Sequence, residues 1–91
     1  MRFIWADPAI KDLERVYQFL AKVNPRAAAN AVQALVNAPT SLITHPRHGP
    51  VLSEFEPREV RRLIVGQYEI RYELKDEEIY LLRVWHSKED R

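Results

Sequence analysis

The sequence predicts an α+β fold of order βααβββ: an antiparallel sheet packed against an α-helical hairpin, in a single domain over residues 1–91. Three observations predict it. Helical periodicity fills the first half of the chain and gives way to aromatic-rich, alternating segments in the second; helices followed by a run of strands argue for α+β. Two cap-plus-proline signals, Asp7-Pro8 and Asn24-Pro25, mark two helix starts with almost no loop between the helices. Length and composition, 91 residues with 46% hydrophobic and 30% charged, describe one ordinary globular domain with a modest core.

Residues 2–6 read as a short first strand. Asp7 is expected to cap the first helix, with Pro8 at its first helical position. Ile10, Leu13, Tyr17 and Leu20, with Val16 beside them, recur at helical spacing and give one apolar stripe to about Val23. The second helix starts at Asn24-Pro25, and so short a connection makes the two helices antiparallel. It carries Ala27, Ala28, Ala29, Ala31, Ala34 and Ala38 with Val32, Leu35 and Val36; alanine favours the helix and lets helices approach closely. Pro39 either kinks this helix or opens a short restart reaching Leu42 and Ile43. Residues 45–50 hold two prolines and a glycine and form a loop.

Residues 51–55 are a brief strand or an irregular segment, and 56–59 a turn. Val, Ile, Leu, Tyr and Trp dominate 60–65, 67–74 and 79–85, which read as three strands, the first two separated at Gly66. Tyr68, Ile70, Tyr72 and Leu74 share one face of their strand, and Gln67, Glu69, Arg71 and Glu73 the other. A three-residue loop at 76–78 would set Tyr72 opposite Leu82, Ile70 opposite Val84 and Tyr68 opposite His86, aligning apolar faces. It would gather Arg71, Arg83 and Trp85 on the opposite face.

Composition excludes several function classes. With no cysteine, disulfides and thiolate metal sites cannot exist, which fits a reducing cytoplasm. His45 and His48 lie in a Pro-bounded loop with no third ligand in view, so no metal site and no cofactor is expected. No apolar run reaches the roughly 20 residues of a membrane span, and the N-terminus is too soon interrupted for a signal peptide, so no membrane partner is expected. A net charge of +1 gives no bulk attraction to nucleic acid. Local clusters say more: Arg58, Arg61, Arg62 and Arg71 in one stretch, and Arg83, His86, Lys88 and Arg91 in another. Acids lie among them, so a solvated, self-neutralising face competes with a surface for an anionic partner.

Several segments carry a resemblance: Asp7-Pro8-Ala9 opening the first helix, the Pro46 to Gly49 loop, Arg61-Arg62-Leu63-Ile64-Val65, Tyr68-Glu69-Ile70-Arg71-Tyr72, and Val84-Trp85-His86 near the end. In order and spacing they resemble the RelE/ParE superfamily of bacterial toxins from type II toxin–antitoxin modules, over nearly the whole chain. The resemblance implies a βααβββ fold, a cytoplasmic toxin and a cognate antitoxin partner. It also implies one of two targets: DNA gyrase, inhibited by ParE-like members, or mRNA in the ribosome, cleaved by RelE-like members. There is no Lys between Lys22 and Lys75 and no Tyr after Tyr80, which departs from the RelE-like ribonuclease pattern. The Ala-rich hairpin and the Val84-Trp85-His86 ending look more like the ParE-like, plasmid-stabilisation branch, which has no established catalytic site.

Two sets of site residues follow. For a ribonuclease, Arg61, Arg62, Arg83 and His86 are the catalytic candidates, with Glu54 or Glu56 as proton acceptor, because a phosphorane needs cations and a proton shuttle. For a gyrase inhibitor, Arg71, Arg83, Trp85, His86 and Lys88 are the target-binding candidates. Each has a plain structural reading as well: His86 as a hydrogen-bonded strand end, Arg61 or Arg62 paired with Glu59 or Glu73, Trp85 and Tyr80 as packing residues and not stacking platforms.

Overall fold

The computed structural model describes residues 1–88. The order is β1 (Arg2–Trp5), α1 (Asp7–Ala21), α2 (Pro25–Asn37), two 3-10 turns (Ala38–Ile43 and Ser53–Phe55), β2 (Glu59–Val65), β3 (Tyr68–Lys75) and β4 (Glu78–His86). The four strands form one sheet in the order β1-β4-β3-β2. The predicted α+β fold is present, with one refinement. β2, β3 and β4 are an antiparallel meander, but β1 joins parallel to β4, so the sheet is mixed.

The helix starts differ from each other. Asn24 caps α2 as its sequence predicts, its side-chain oxygen accepting from the backbone N–H groups of Arg26 and Ala27 at 3.1 and 3.2 Å. Asp7 does not cap α1. The cap position is Ala6, which makes no side-chain bond, and Asp7 sits inside the first turn. Ala6 is still tied to the sheet, donating its N–H to the Leu81 carbonyl at 3.0 Å, while its own carbonyl accepts from Ala9 and Ile10. The chain therefore turns from strand to helix one residue earlier than the capping signal suggests. Asp7 still places negative charge at the positive end of the helix dipole.

The core lies between the helical hairpin and one sheet face. Ala9, Val16, Leu35 and Leu42 pack against Leu63, Ile70, Tyr72, Ile79, Leu81 and Val84. Leu35 and Ala28 are buried as the second-helix pattern predicts, and Pro39 opens a 3-10 turn that buries Leu42. The first-helix stripe holds at Val16, which is buried, and at Leu13 and Leu20, which pack against the core; it fails at Ile10 and Tyr17, 41% and 42% exposed, and the buried face takes in Ala9 and Asp12 instead.

The β3–β4 turn also differs from expectation. It has two residues, Asp76 and Glu77, both with left-handed backbone (φ 52° and 59°). A two-residue turn alone would slip the far end of the hairpin by one residue. A bulge between Arg71 and Tyr72 absorbs the slip: Tyr72 faces Leu81 and not Leu82, while Arg71 faces Arg83, Ile70 faces Val84 and Tyr68 faces His86. Beyond the bulge the apolar faces align as predicted, because one extra residue on β4 restores the period of two.

Candidate functional site

The sheet face turned away from the helices carries the chemistry. Register places Arg62 of β2 opposite Arg71 of β3, and Arg71 opposite Arg83 of β4, so three arginines stand abreast on three adjacent strands. Glu69 and Trp85 face each other in the next row, and Glu73 and Tyr80 in the row on the other side. Like charges set directly opposite destabilise a sheet, so each guanidinium must be held by something.

Arg71 is held by rings. Its guanidinium carbon lies 4.8 Å from the Phe55 centroid and 4.7 Å from the Trp85 centroid, a cation between two π faces. Its Nε is buried without a hydrogen-bond partner among the described residues. Trp85 is only 4% exposed. Arg58, from the turn before β2, grips both carboxylate oxygens of Glu73 at 2.8 and 3.0 Å. That guanidinium holds the Glu73 carboxyl below the ordinary carboxylate range. Arg62 approaches Glu69 only to 3.9 Å.

Arg83 turns to a residue that the sequence reading passed over. Asp12 of α1 is 3% exposed and accepts from Arg83 Nε at 2.8 Å and Nη2 at 3.2 Å, from Arg15 Nη1 at 2.6 Å and from the Val84 N–H at 2.8 Å. Arg15 also donates to the Val84 carbonyl at 3.2 Å. Asp12 and Arg15 thus satisfy the backbone of β4 past the point where β1 stops. Burial by itself raises the Asp12 carboxyl; the bonds from Arg83, Val84 and Arg15 more than offset it and leave it below its ordinary value. A signal was available: Ala9, Asp12 and Val16 fall on one helical face, so an acid stood among core positions with Arg15 one turn on.

Arg61 points to the helix side and is a structural clamp. It donates to Glu59 at 2.9 Å and to the Gly49 carbonyl at 2.6 Å, and Arg47 reaches the same Glu59. Buried Tyr72 completes the clamp, donating to the Pro46 carbonyl at 2.9 Å and accepting from the Gly49 N–H at 3.2 Å. Arg61 and Arg62 therefore face opposite ways, as adjacent strand residues must. Glu54 and Glu56 are both exposed, in and just after the short 3-10 turn.

His86, at the end of β4, is engaged at both ring nitrogens. Nδ1 accepts from the Lys88 N–H at 3.1 Å, so the neutral ring carries its proton on Nε2, which lies 3.0 Å from Gln67 Oε1. Tyr68 meets the ring edge-on, centroids 5.1 Å apart. Beside it, on the helix side, lies a groove of about 570 Å³. Val16, Phe19, Leu20 and Tyr68 make its apolar walls, and Arg15 and Lys88 supply its charged groups. The structure thus brings Arg62, Arg71, Arg83 and Trp85 together on one face, places His86 and Lys88 at the sheet's end, and leaves Arg61 apart. Arg91, counted in the second basic cluster, lies outside the described residues. Among the described residues no three metal-ligating side chains gather, and no helix is long and apolar enough to cross a membrane.

Comparison with known proteins agrees with this architecture. No curated protein matches the chain. Its fold is similar to a solved structure described as the chromosomal ParDE TA system from P. aeruginosa: TM-score 0.76, 26% identity, 94% of this chain and 95% of that one covered. The family model for the ParE toxin of the type II toxin–antitoxin system, parDE, matches residues 3–91, nearly the whole chain. The chain therefore belongs to the ParE toxin family of type II toxin–antitoxin systems.

Proposed function

We propose that this toxin inhibits DNA gyrase by contact and not by catalysis, in the cytoplasm, and that a cognate antitoxin neutralises it. The observation that carries the reading is the state of His86. A general acid or base needs a ring nitrogen presented to the substrate. Both nitrogens of His86 serve the fold instead, one held by the Lys88 backbone and one set against Gln67. Arg61, a cation a ribonuclease would use, is committed to the loop clamp. What remains is a binding surface: Arg71 and Arg83 on the open face, braced by buried Trp85, with Lys88 past the end of β4.

The antitoxin reading rests on the family and on the outer surface of α1. Phe19, 66% exposed on the groove wall with Val16 and Leu20, and Val23, 90% exposed in the turn after α1, are apolar surface that a 91-residue chain gains by covering. An amphipathic helix with acids facing Arg15 and Lys88 fits it. Growth assays test the target reading. Lys88→Glu or Arg83→Glu should relieve toxicity, and His86→Gln should retain it, with folding checked by circular dichroism. A dead His86→Gln beside a fully toxic Lys88→Glu would overturn inhibition by contact.

A further inference from the structure

We infer that the row Arg62–Arg71–Arg83 takes hold of carboxylates on an acidic segment of the target protein, and not of the phosphates of target-bound DNA. The inference rests on the gyrase reading above and adds the chemistry of the contact.

Three features of the row point to carboxylates. The first is preorganisation. Arg71 is fixed between Phe55 and Trp85, and Arg83 is fixed by Asp12, so two of the three forks lose little freedom on binding. The second is incomplete neutralisation. It concerns Arg62 and Arg71, since Glu73 in the neighbouring row is taken by Arg58. Arg62 has Glu69 only at 3.9 Å, and no described carboxylate pairs with Arg71. A carboxylate from outside would supply what like-charged neighbours across a sheet lack.

The third is shape. Nucleic-acid platforms on sheets combine cations with exposed rings on which bases stack. Here Trp85 is 4% exposed and its face is covered by Arg71, so it offers no stacking surface. The row is about 10 Å long, two strand spacings, with buried Glu69 and Glu73 in the rows on either side. A band that short matches a few discrete carboxylates better than a continuous polyanion crossing the sheet. The chain's net charge of +1 likewise gives little general attraction to DNA.

The experiment has two arms. In the first, DNA-free gyrase is immobilised and bound by the toxin, by Arg62→Gln, Arg62→Lys and Arg71→Gln, each checked for folding. Arg62 is half-exposed, so its variants keep the fold. The expected result is binding without DNA, weakened about tenfold or more by Arg62→Gln, partly restored by Arg62→Lys and reduced by salt. In the second arm, an oligoglutamate peptide and a duplex oligonucleotide are titrated into the toxin and followed by backbone amide shifts. Oligoglutamate should move the amides of Arg62, Arg71 and Arg83 in the native sequence but not in Arg62→Gln; the duplex should not. Gyrase binding unchanged by Arg62→Gln and Arg71→Gln would overturn the inference and leave the gyrase reading intact. A row that responds to duplex and not to oligoglutamate would overturn it too. Failure of the native toxin to bind gyrase, with the oligoglutamate response present, would sink the gyrase reading while supporting carboxylate recognition by the row.

Discussion

Asp12 of the first helix holds Arg83 of the last strand through both carboxylate oxygens, Oδ2 at 2.8 Å from Nε and Oδ1 at 3.2 Å from Nη2. The same carboxylate accepts the Val84 N–H, so one buried side chain joins helix, strand backbone and an arginine of the open face. Removing it leaves the buried Val84 N–H without its acceptor and takes the shared carboxylate from Arg15 and Arg83. Asp12→Ala should therefore cost about 3–5 kcal/mol, the range for breaking one partner of a buried ion pair. Arg15 and Arg83 are substantially exposed, which places the value near the lower end. Urea denaturation checks it, and a loss under half a kcal/mol would refute the account of this network.

Acid titration gives a second test of the same pairs. The carboxyls of Asp12, Glu59 and Glu73 are all held below their ordinary values by arginine partners. A carboxylate whose pKa is depressed in the folded state stabilises it above the unfolded pKa. That contribution is lost as pH falls through the folded value. Stability should thus be level near neutrality and fall as pH drops below about 4. Asp12→Asn should flatten that fall, and an unchanged slope would show that Asp12 is not one of its sources.

Gly49 is needed for close approach. A Cβ at this position would lie 2.0 Å from the Arg62 carbonyl oxygen, a backbone atom that cannot swing away. The loop is pinned there by Tyr72 and Arg61, so it cannot withdraw without losing both bonds. Gly49→Ala should destabilise by about 1–3 kcal/mol, the usual cost of overpacking. A neutral result in thermal denaturation would contradict the clamp.

The β3–β4 turn carries the opposite opportunity. Asp76 and Glu77 both hold left-handed backbone angles, which cost a non-glycine residue roughly 1–2 kcal/mol each. A two-residue turn of this hand favours glycine at the second place. Glu77→Gly should raise stability by about 1 kcal/mol, seen as a higher denaturation midpoint with unchanged slope. Destabilisation would mean that Glu77 contributes something its backbone does not reveal.

The parts of this molecule that the sequence made legible are those with local causes. Asn24-Pro25 announced the second helix because cap and proline act within one turn. The face shared by Tyr68, Ile70 and Tyr72 followed from a period of two. What escaped reading depends on partners distant along the chain. Ala6 takes the cap position because Leu81 holds it to the sheet. The turn at Asp76 and Glu77 is short because a bulge elsewhere corrects the register. Asp12 resembled an ordinary surface acid until β4, some 70 residues later, supplied Arg83 and Val84. The open face was partly legible: Arg71, Arg83 and Trp85 were expected together, and Arg62 joined them only once the pairing of β2 with β3 was known.

Whether the toxin acts by contact on gyrase is tested most directly by a DNA supercoiling assay with purified gyrase, using the native toxin and His86→Gln side by side. The structure-based account predicts that both inhibit supercoiling to a similar extent, since His86 serves the end of the sheet and not a proton transfer. Undiminished supercoiling in the presence of the native toxin, together with codon-phased cleavage of ribosome-bound mRNA that His86→Gln abolishes, would contradict it.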